Sequence, residues 1–267
     1  MGTIFNYGQD AMPSIACQAE AFTLDGALVV SLPKAPMLKH RKIRLNIAGR
    51  KLRDSFGRDI STPAGKRAAF WHLYLMDHGF LRMVWRNLAE IAPGAWRSNQ
   101  PSPGQLRRHA AKGLRTVINL RGISSNSNYL LEAEACAELG LVLRSCPISA
   151  RRLAPRGLLL DLLDAFETAE RPLLIHCKSG ADRAGLAAAL YLMHVEGQSA
   201  ALASRQLSFR FMHFRNDSTG VLDYMLDRYA ADCAARPMPI REWIETVYDA
   251  TELQIAFERE RGLHDGR

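Results

Sequence analysis

A cysteine and an arginine stand six positions apart in the stretch His176-Cys177-Lys178-Ser179-Gly180-Ala181-Asp182-Arg183-Ala184-Gly185. A thiolate is a nucleophile, and a guanidinium is a two-pronged donor to phosphate or carboxylate oxygens, so the pair suits chemistry on an anion. Residues 172–175 are a short apolar run fit for a central strand, and 184–193 are rich enough in Ala and Leu for a helix buried on most faces. A loop that feeds straight into a helix turns successive backbone N–H groups and the positive end of the helix dipole into one concavity. Phosphate fits such a place, and the same field favours a thiolate at Cys177.

The elements around this loop alternate. Ser102-Pro103 is an N-cap followed by proline at the first helical position, and 104–111 is a helix closed by Gly113. Residues 116–120 read as a strand, 128–139 as a helix ended by Gly140, 141–148 as a strand, 156–169 as a helix and 173–177 as a strand. The helix at 184–196 follows, then helical periodicity at 201–208, 220–235 and 240–261. Strands alternating with helices imply an α/β fold, a central, mostly parallel sheet flanked by helices, here with a helical C-terminal cover. In such sheets ligands bind beyond the carboxyl ends of the strands. That puts Arg121, Ser149 with Arg151 and Arg152, and the Cys177 loop on one rim.

A chain of 267 residues, 48% hydrophobic and 23% charged, is that of a globular domain with extensions. Its formal net charge of +8 and pI of about 9.5 favour acidic partners: a phosphorylated substrate, an anionic membrane surface or nucleic acid. The five cysteines are odd in number and widely spaced, which argues against a disulfide framework or a zinc site and for a reducing compartment. No stretch approaches the roughly 18 uninterrupted apolar residues of a spanning helix, and no signal-peptide pattern opens the chain. A cytoplasmic location, with contact to a membrane periphery, is expected.

Four segments follow: a basic N-terminal extension (1–68), partly disordered or loosely packed; an aromatic-rich docking segment (69–92); the site-bearing domain (93–235); and a C-terminal helix (236–267). Within the first, 27–32 reads as a short strand, while 34–67 hold eleven Lys and Arg against Asp54 and Asp59. That run is either a solvated linker or a polybasic arm for an anionic surface. The aromatics of 70–85 with their flanking cations either dock on the domain that follows or lie in a membrane interface. His72 and His78 have the wrong spacing for one helical face, so no metal is expected there.

His176-Cys177-x5-Arg183 between a hydrophobic strand and a helix resembles the signature of the cysteine-dependent phosphatases, the protein tyrosine and dual-specificity superfamily. Trp96-Arg97-Ser98-Asn99-Gln100-Pro101 and 113–121 look like the opening region of its atypical dual-specificity branch, so the resemblance covers roughly residues 93–235. It implies phosphomonoester hydrolysis through a cysteinyl-phosphate, with Cys177 as nucleophile and Arg183 as phosphate clamp. The backbone of Lys178, Ser179, Gly180, Ala181, Asp182 and Arg183 would hold the phosphate oxygens. His176 would brace the loop, Arg121 and Arg151 would support the rim, and no cofactor or metal is implied.

Two positions depart from the pattern. Most members carry a general-acid Asp on a separate loop some 30 residues before the cysteine, yet 147–155 hold no carboxylate here. The acids nearest to that segment, Glu132, Glu134 and Glu138, are expected on a helix that faces elsewhere. Asp182 is then the candidate acid, a placement similar to that in the myotubularin lipid phosphatases and in some secreted bacterial phosphatases. Ala184 stands where the family usually has a Ser or Thr hydroxyl that helps the thiolate leave, so breakdown of the phosphoenzyme is expected to be slow.

The basic rim suits a substrate with more than one anionic group, such as an inositol phosphate or phospholipid headgroup, alongside phosphotyrosine or phosphoserine protein. His176-Cys177-Lys178 also echoes a lipid-phosphatase loop, and residues 34–85 could bring the site to an anionic membrane. The alternative is a catalytically weak module that binds phosphate without turnover. A rhodanese-like sulfur transferase usually has a loop one residue shorter. Nucleic-acid binding is not expected, because no base-stacking motif accompanies the charge.

Overall fold

The computed structural model describes residues 58–77, 80 and 85–262. The chain divides into two units, Met1–Asn46 and Ile47–Arg267, and the described residues all fall in the second. The strand expected at 27–32, most of the basic run, His78 and residues 81–84 of the aromatic stretch lie outside the described residues.

Five strands make one sheet: β1 (Ala89–Ala92), β2 (Ala95–Ser98), β3 (Thr116–Asn119), β4 (Val142–Ser145) and β5 (Leu173–His176), in the spatial order β1-β2-β5-β3-β4. All neighbours are parallel except the β1–β2 hairpin, so the mostly parallel α/β sheet expected from the alternating pattern is present. The helices before, between and after the strands are α1 (Pro63–Trp71), α2 (Pro103–Ala110), α3 (Ser127–Glu138), α4 (Arg156–Glu167), α5 (Asp182–His194), α6 (Ala200–Ala203), α7 (Val221–Ala235), α8 (Ile240–Thr246) and α9 (Ala250–Glu260).

Side chains of a strand alternate between its two faces, and the buried sets follow that rule. Val117 and Leu174 join Leu106 of α2 and Cys136 of α3 on one face. Ile118, Leu173 and Ile175 join α4, α5, α7 and α8 on the other, through Leu159, Leu163, Leu190, Met225 and Trp243. Helix α5 lies at the centre: residues 184–193 are all buried, which is why its sequence is apolar all round.

The strands end level. Ser98 pairs with His176, His176 with Asn119, and Asn119 with Ser145, so the last residues of four parallel strands form one row across the sheet. Asn99 and Gln100, Cys177, Leu120 and Arg121, and Cys146 therefore all leave the sheet at the same edge.

Three elements differ from the sequence expectation for local reasons. The helix at 201–208 stops at Ala203 and tightens into a 3-10 turn, Ser204–Gln206, whose last carbonyl is taken by Arg97. The helix at 240–261 is two helices, because the Asp249 side chain accepts from the Thr251 and Glu252 amides and restarts the helix there. Within the basic run, Thr62 caps α1, and Lys66 pairs with Glu134 of α3 at 2.6 Å. A π-type turn, His72–Met76, follows, and buried His72 hydrogen-bonds Ser127 at the start of α3 (2.7 Å). The aromatic segment thus docks on the domain that follows it, while Phe70, Trp71, Leu75 and Met76 stay exposed. Among the described residues no helix is long and apolar enough to cross a membrane.

Candidate active site

Residues 177–181 join β5 to α5, and their shape is set by what holds their carbonyls. The Lys178 carbonyl accepts from the Gln100 amide (3.3 Å), that of Ser179 from Asn87 Nδ2 (3.1 Å), and those of Gly180 and Ala181 from the Arg97 guanidinium (2.6 and 2.9 Å). In a trans peptide the N–H points opposite to the C=O. With four successive carbonyls tied on one side, the amides that follow them turn to the other, that of Ala181 to the Ser179 hydroxyl (3.4 Å) and that of Gly180 to the nucleophile. The Gly180 N–H lies 3.2 Å from Cys177 Sγ, which is 2% exposed. The α5 N-terminus stands directly beyond, so the Gly180 amide and the helix dipole converge on the sulfur and on any anion bound beside it.

Arg97 is the anchor of this arrangement and is itself fully buried. Burial lowers its pKa to about 10, while charge on Cys177 and Asp182 acts the other way. It therefore remains a cation below the loop at neutral pH, with the Phe211 ring 3.8 Å from its guanidinium carbon. Arg183 sits in the first turn of α5 with Nη1 3.3 Å from the Leu120 carbonyl, which aims its fork across the end of β3.

His176 shares the face of Leu174, the face covered by α3. Its Nε2 lies 2.8 Å from Glu132 Oε1, both groups essentially inaccessible, an ion-pair separation without the straight alignment of a hydrogen bond. Its Nδ1 lies 3.3 Å from the Cys177 carbonyl. Glu132 thus does not face elsewhere, as its helix suggested, but braces the residue before the nucleophile. Strand alternation is the reason, because it turns His176 towards α3. Glu134 and Glu138 do face away, to Lys66 and Arg107.

Arg121 leaves β3 on the same edge as Cys177, but it is not an open cation. Asp77, from the segment after α1, takes it in a two-pronged ion pair (2.9 and 3.2 Å) and also lies 2.9 Å from Lys178 Nζ. Gln100 completes the Arg121 contact through its side-chain oxygen. Arg151 is exposed beyond β4, as is Arg152. Asp182 opens α5, and its Oδ1 contacts His213 Nδ1 at 2.7 Å. Ala184 is fully buried, with no hydroxyl to offer the sulfur. Among the described residues no group of His, Cys, Asp and Glu is arranged to hold a metal ion.

Asp77, Asn87, Arg97, Glu132, His213 and Asp223 are the parts that the sequence reading left out. Arg97 stood in the stretch that carried the family resemblance, whereas Asp77 and His213 stand in segments with no motif to single them out.

The family model for the tyrosine phosphatase family matches residues 147–204, the segment from the end of β4 through the loop and α5 to α6. No curated protein matches the chain. Among solved structures, TpbA of P. aeruginosa is 19% identical, over 64% of this chain and 90% of its own, with a TM-score of 0.42. The core catalytic domain of the PP-IP phosphatase SIW14 from S. cerevisiae is 16% identical, over 67% of this chain and 94% of its own, with a TM-score of 0.38. Likenesses at that level decide nothing about the chemistry of this chain. The match of this segment to the tyrosine phosphatase family bears out the phosphatase superfamily read from the loop.

Proposed function

We propose that this chain hydrolyses phosphomonoesters through a cysteinyl-phosphate intermediate, with Cys177 as nucleophile, Arg183 as phosphate clamp and Asp182 as general acid. The observation that carries the reading is the loop whose four successive carbonyls, 178–181, are tethered by Gln100, Asn87 and Arg97, with the Gly180 amide 3.2 Å from the Cys177 sulfur at the start of a helix. In the first step the sulfur attacks phosphorus and the ester oxygen leaves with a proton from Asp182. In the second, water attacks phosphorus and the thiolate departs. His176 with Glu132, and Arg97, hold the loop in register and touch no substrate.

Wild-type protein mixed with nitrophenyl phosphate and quenched within milliseconds should show a burst of nitrophenol. It should also yield an acid-trapped phosphocysteine at Cys177, because Ala184 gives the departing thiolate no hydroxyl. A linear release with no phosphocysteine would overturn the covalent mechanism. Binding of phosphate with no release at all would favour the non-catalytic module.

The substrate class we infer is a phosphorylated protein, phosphotyrosine or phosphoserine, or a phospholipid or inositol phosphate. Half-buried Lys178 and exposed Arg151 and Arg152 support an anionic substrate, and so does the run of Lys and Arg that precedes, in sequence, exposed Phe70, Trp71, Leu75 and Met76. A cytoplasmic location with contact to anionic membranes goes with this reading. Phosphate release measured across phosphopeptides, soluble inositol phosphates and phosphoinositide vesicles separates these classes.

Asp77 tempers the rim. Removing its charge as Asp77→Asn should free Lys178 and Arg121 and lower KM for a doubly anionic substrate about two- to fivefold at low salt, the scale of one partly exposed ion pair. The gain should vanish near molar salt. An unchanged KM at low salt would show that neither cation meets the substrate.

A further inference from the structure

Asp182 does not face the site alone. His213 Nδ1 lies 2.7 Å from Asp182 Oδ1, and His213 Nε2 lies 2.6 Å from Asp223 Oδ2. Ionised carboxylate oxygens only accept, so both ring nitrogens donate and the imidazole is a cation. His213 is 3% exposed and Asp223 6%. Burial acts to lower the pKa of this histidine, but the hydrogen bonds to Asp182 and Asp223 outweigh it and raise the value to about 9. The other charges around it are Arg97 of β2, which acts on Asp182, and Arg205, Arg215 and Asp227. The last three line with His213 a cavity of 450 Å³, and Arg215 and Asp227 are paired with each other.

We propose that Asp182, His213 and Asp223 act as one proton-holding unit, in which His213, oriented by Asp223, keeps a proton one hydrogen bond behind the catalytic carboxylate. The proposal rests on the reading of Asp182 as the leaving-group acid. An ordinary aspartic acid, with a pKa of about 3.9, is protonated roughly once in a thousand at pH 7, which makes a poor reservoir. Here the proton is stored on nitrogen. As the P–O bond breaks, its electron pair stays on the leaving oxygen. The Nδ1 proton of His213 passes to the Asp182 carboxylate, and Asp182 hands it on to that oxygen. His213 is left neutral, with Nε2–H still donated to Asp223. In the second step water forms its bond to phosphorus, the P–S pair returns to the Cys177 sulfur, and the proton lost by water goes to Asp182 and on to His213. The unit ends as it began. His213 and Asp223 touch no substrate and are positioning residues.

The test is kcat from about pH 5 to pH 10 on an alkyl phosphomonoester, a poor leaving group, and on nitrophenyl phosphate, a good one. In the wild type the alkyl rate should hold to about pH 9 and fall above it. His213→Gln should move that fall below pH 7 and lower the alkyl rate at pH 7.5 about a hundredfold, while the nitrophenyl rate drops by less than about tenfold. Asp223→Asn should move the fall part of the way. Equal losses on both substrates, with the alkaline limb in its wild-type place, would overturn the unit and leave Cys177 chemistry standing. If His213→Gln does not fold, the wild-type profile decides, since an alkyl rate that already declines between pH 5 and pH 7 refutes the stored proton. A folded wild type that hydrolyses neither substrate removes the phosphatase reading and this unit with it.

Discussion

Cys177→Ser protein should lose phosphate release by on the order of 10⁴-fold or more on every substrate that the wild type turns over. The hydroxyl fits the space of the thiol, which is 2% exposed and already touched by the Gly180 amide. What an alcohol lacks is the acidity of a thiol, which loop amides and a helix dipole do not make up for. The proposed phosphate seat itself is untouched by the change. Arg183 and the loop amides remain, so the serine protein should still bind inorganic phosphate or tungstate within a few-fold of the wild type. Calorimetry alongside steady-state rates reads both quantities on one preparation. Retained turnover would mean that the nucleophile is another group. The nearest chemical substitutes are poor: burial pushes the Cys136 thiol up to about 12 and that of Cys146 up to about 11, and neither lies in the loop.

Gly180→Ala should be less damaging to activity than Cys177→Ser and far more damaging to the fold. Gly180 has φ of +75°, where an L side chain costs about 1–2 kcal/mol. A Cβ there would lie 2.6 Å from the Asn99 amide nitrogen, 2.7 Å from the Ser98 carbonyl carbon and 2.8 Å from Asn87 Cβ. Two of those atoms are backbone, so the loop would have to part from the end of β2. Strain and displaced packing together should destabilise the protein by about 3 kcal/mol or more. The surviving folded fraction should turn over about a hundredfold more slowly, because the shift moves the amides and the Arg97 contacts together. Urea unfolding gives the first number and kcat of the folded protein the second. Gly157→Ala is the matched control, in the first turn of α4 with nothing within 4 Å of an added Cβ. Wild-type stability for Gly180→Ala would show that the loop and the end of β2 separate easily.

The central part of this architecture was legible because its signals are local. Short apolar runs gave β3 and β5, Ser102-Pro103 gave the start of α2, and the Ala/Leu run gave α5. The hairpin of β1 and β2 was not legible, since Ala89–Ala92 and Ala95–Ser98 are short and carry Glu90 and the buried Arg97 where a strand pattern would show apolar residues. Cys177 and Arg183 declared themselves by spacing. Glu132 was misjudged because the face of a helix can be assigned only once the strand beside it has a register. His213 was invisible for a different reason. It follows Met212, a residue with φ of +60° that ends a 3-10 turn, in a segment where neither period holds. Its importance comes from two carboxylates, one 31 residues before it and one 10 after.

The outward tethering of the loop carbonyls has one more consequence. Every tether, from Gln100, Asn87 and Arg97, belongs to the protein itself, so the cradle keeps its form whether or not an anion is inside. Binding then spends little on reorganisation, and selectivity cannot arise from the cradle closing on a favoured ligand. A phosphoryl group seated there would be gripped by its tetrahedral oxyanion alone, whatever that anion was attached to. On the proposed phosphatase reading, inorganic phosphate as the released product would compete for the same seat with every incoming ester. Discrimination among esters is left to the rim, where Asp77 stands between Arg121 and Lys178.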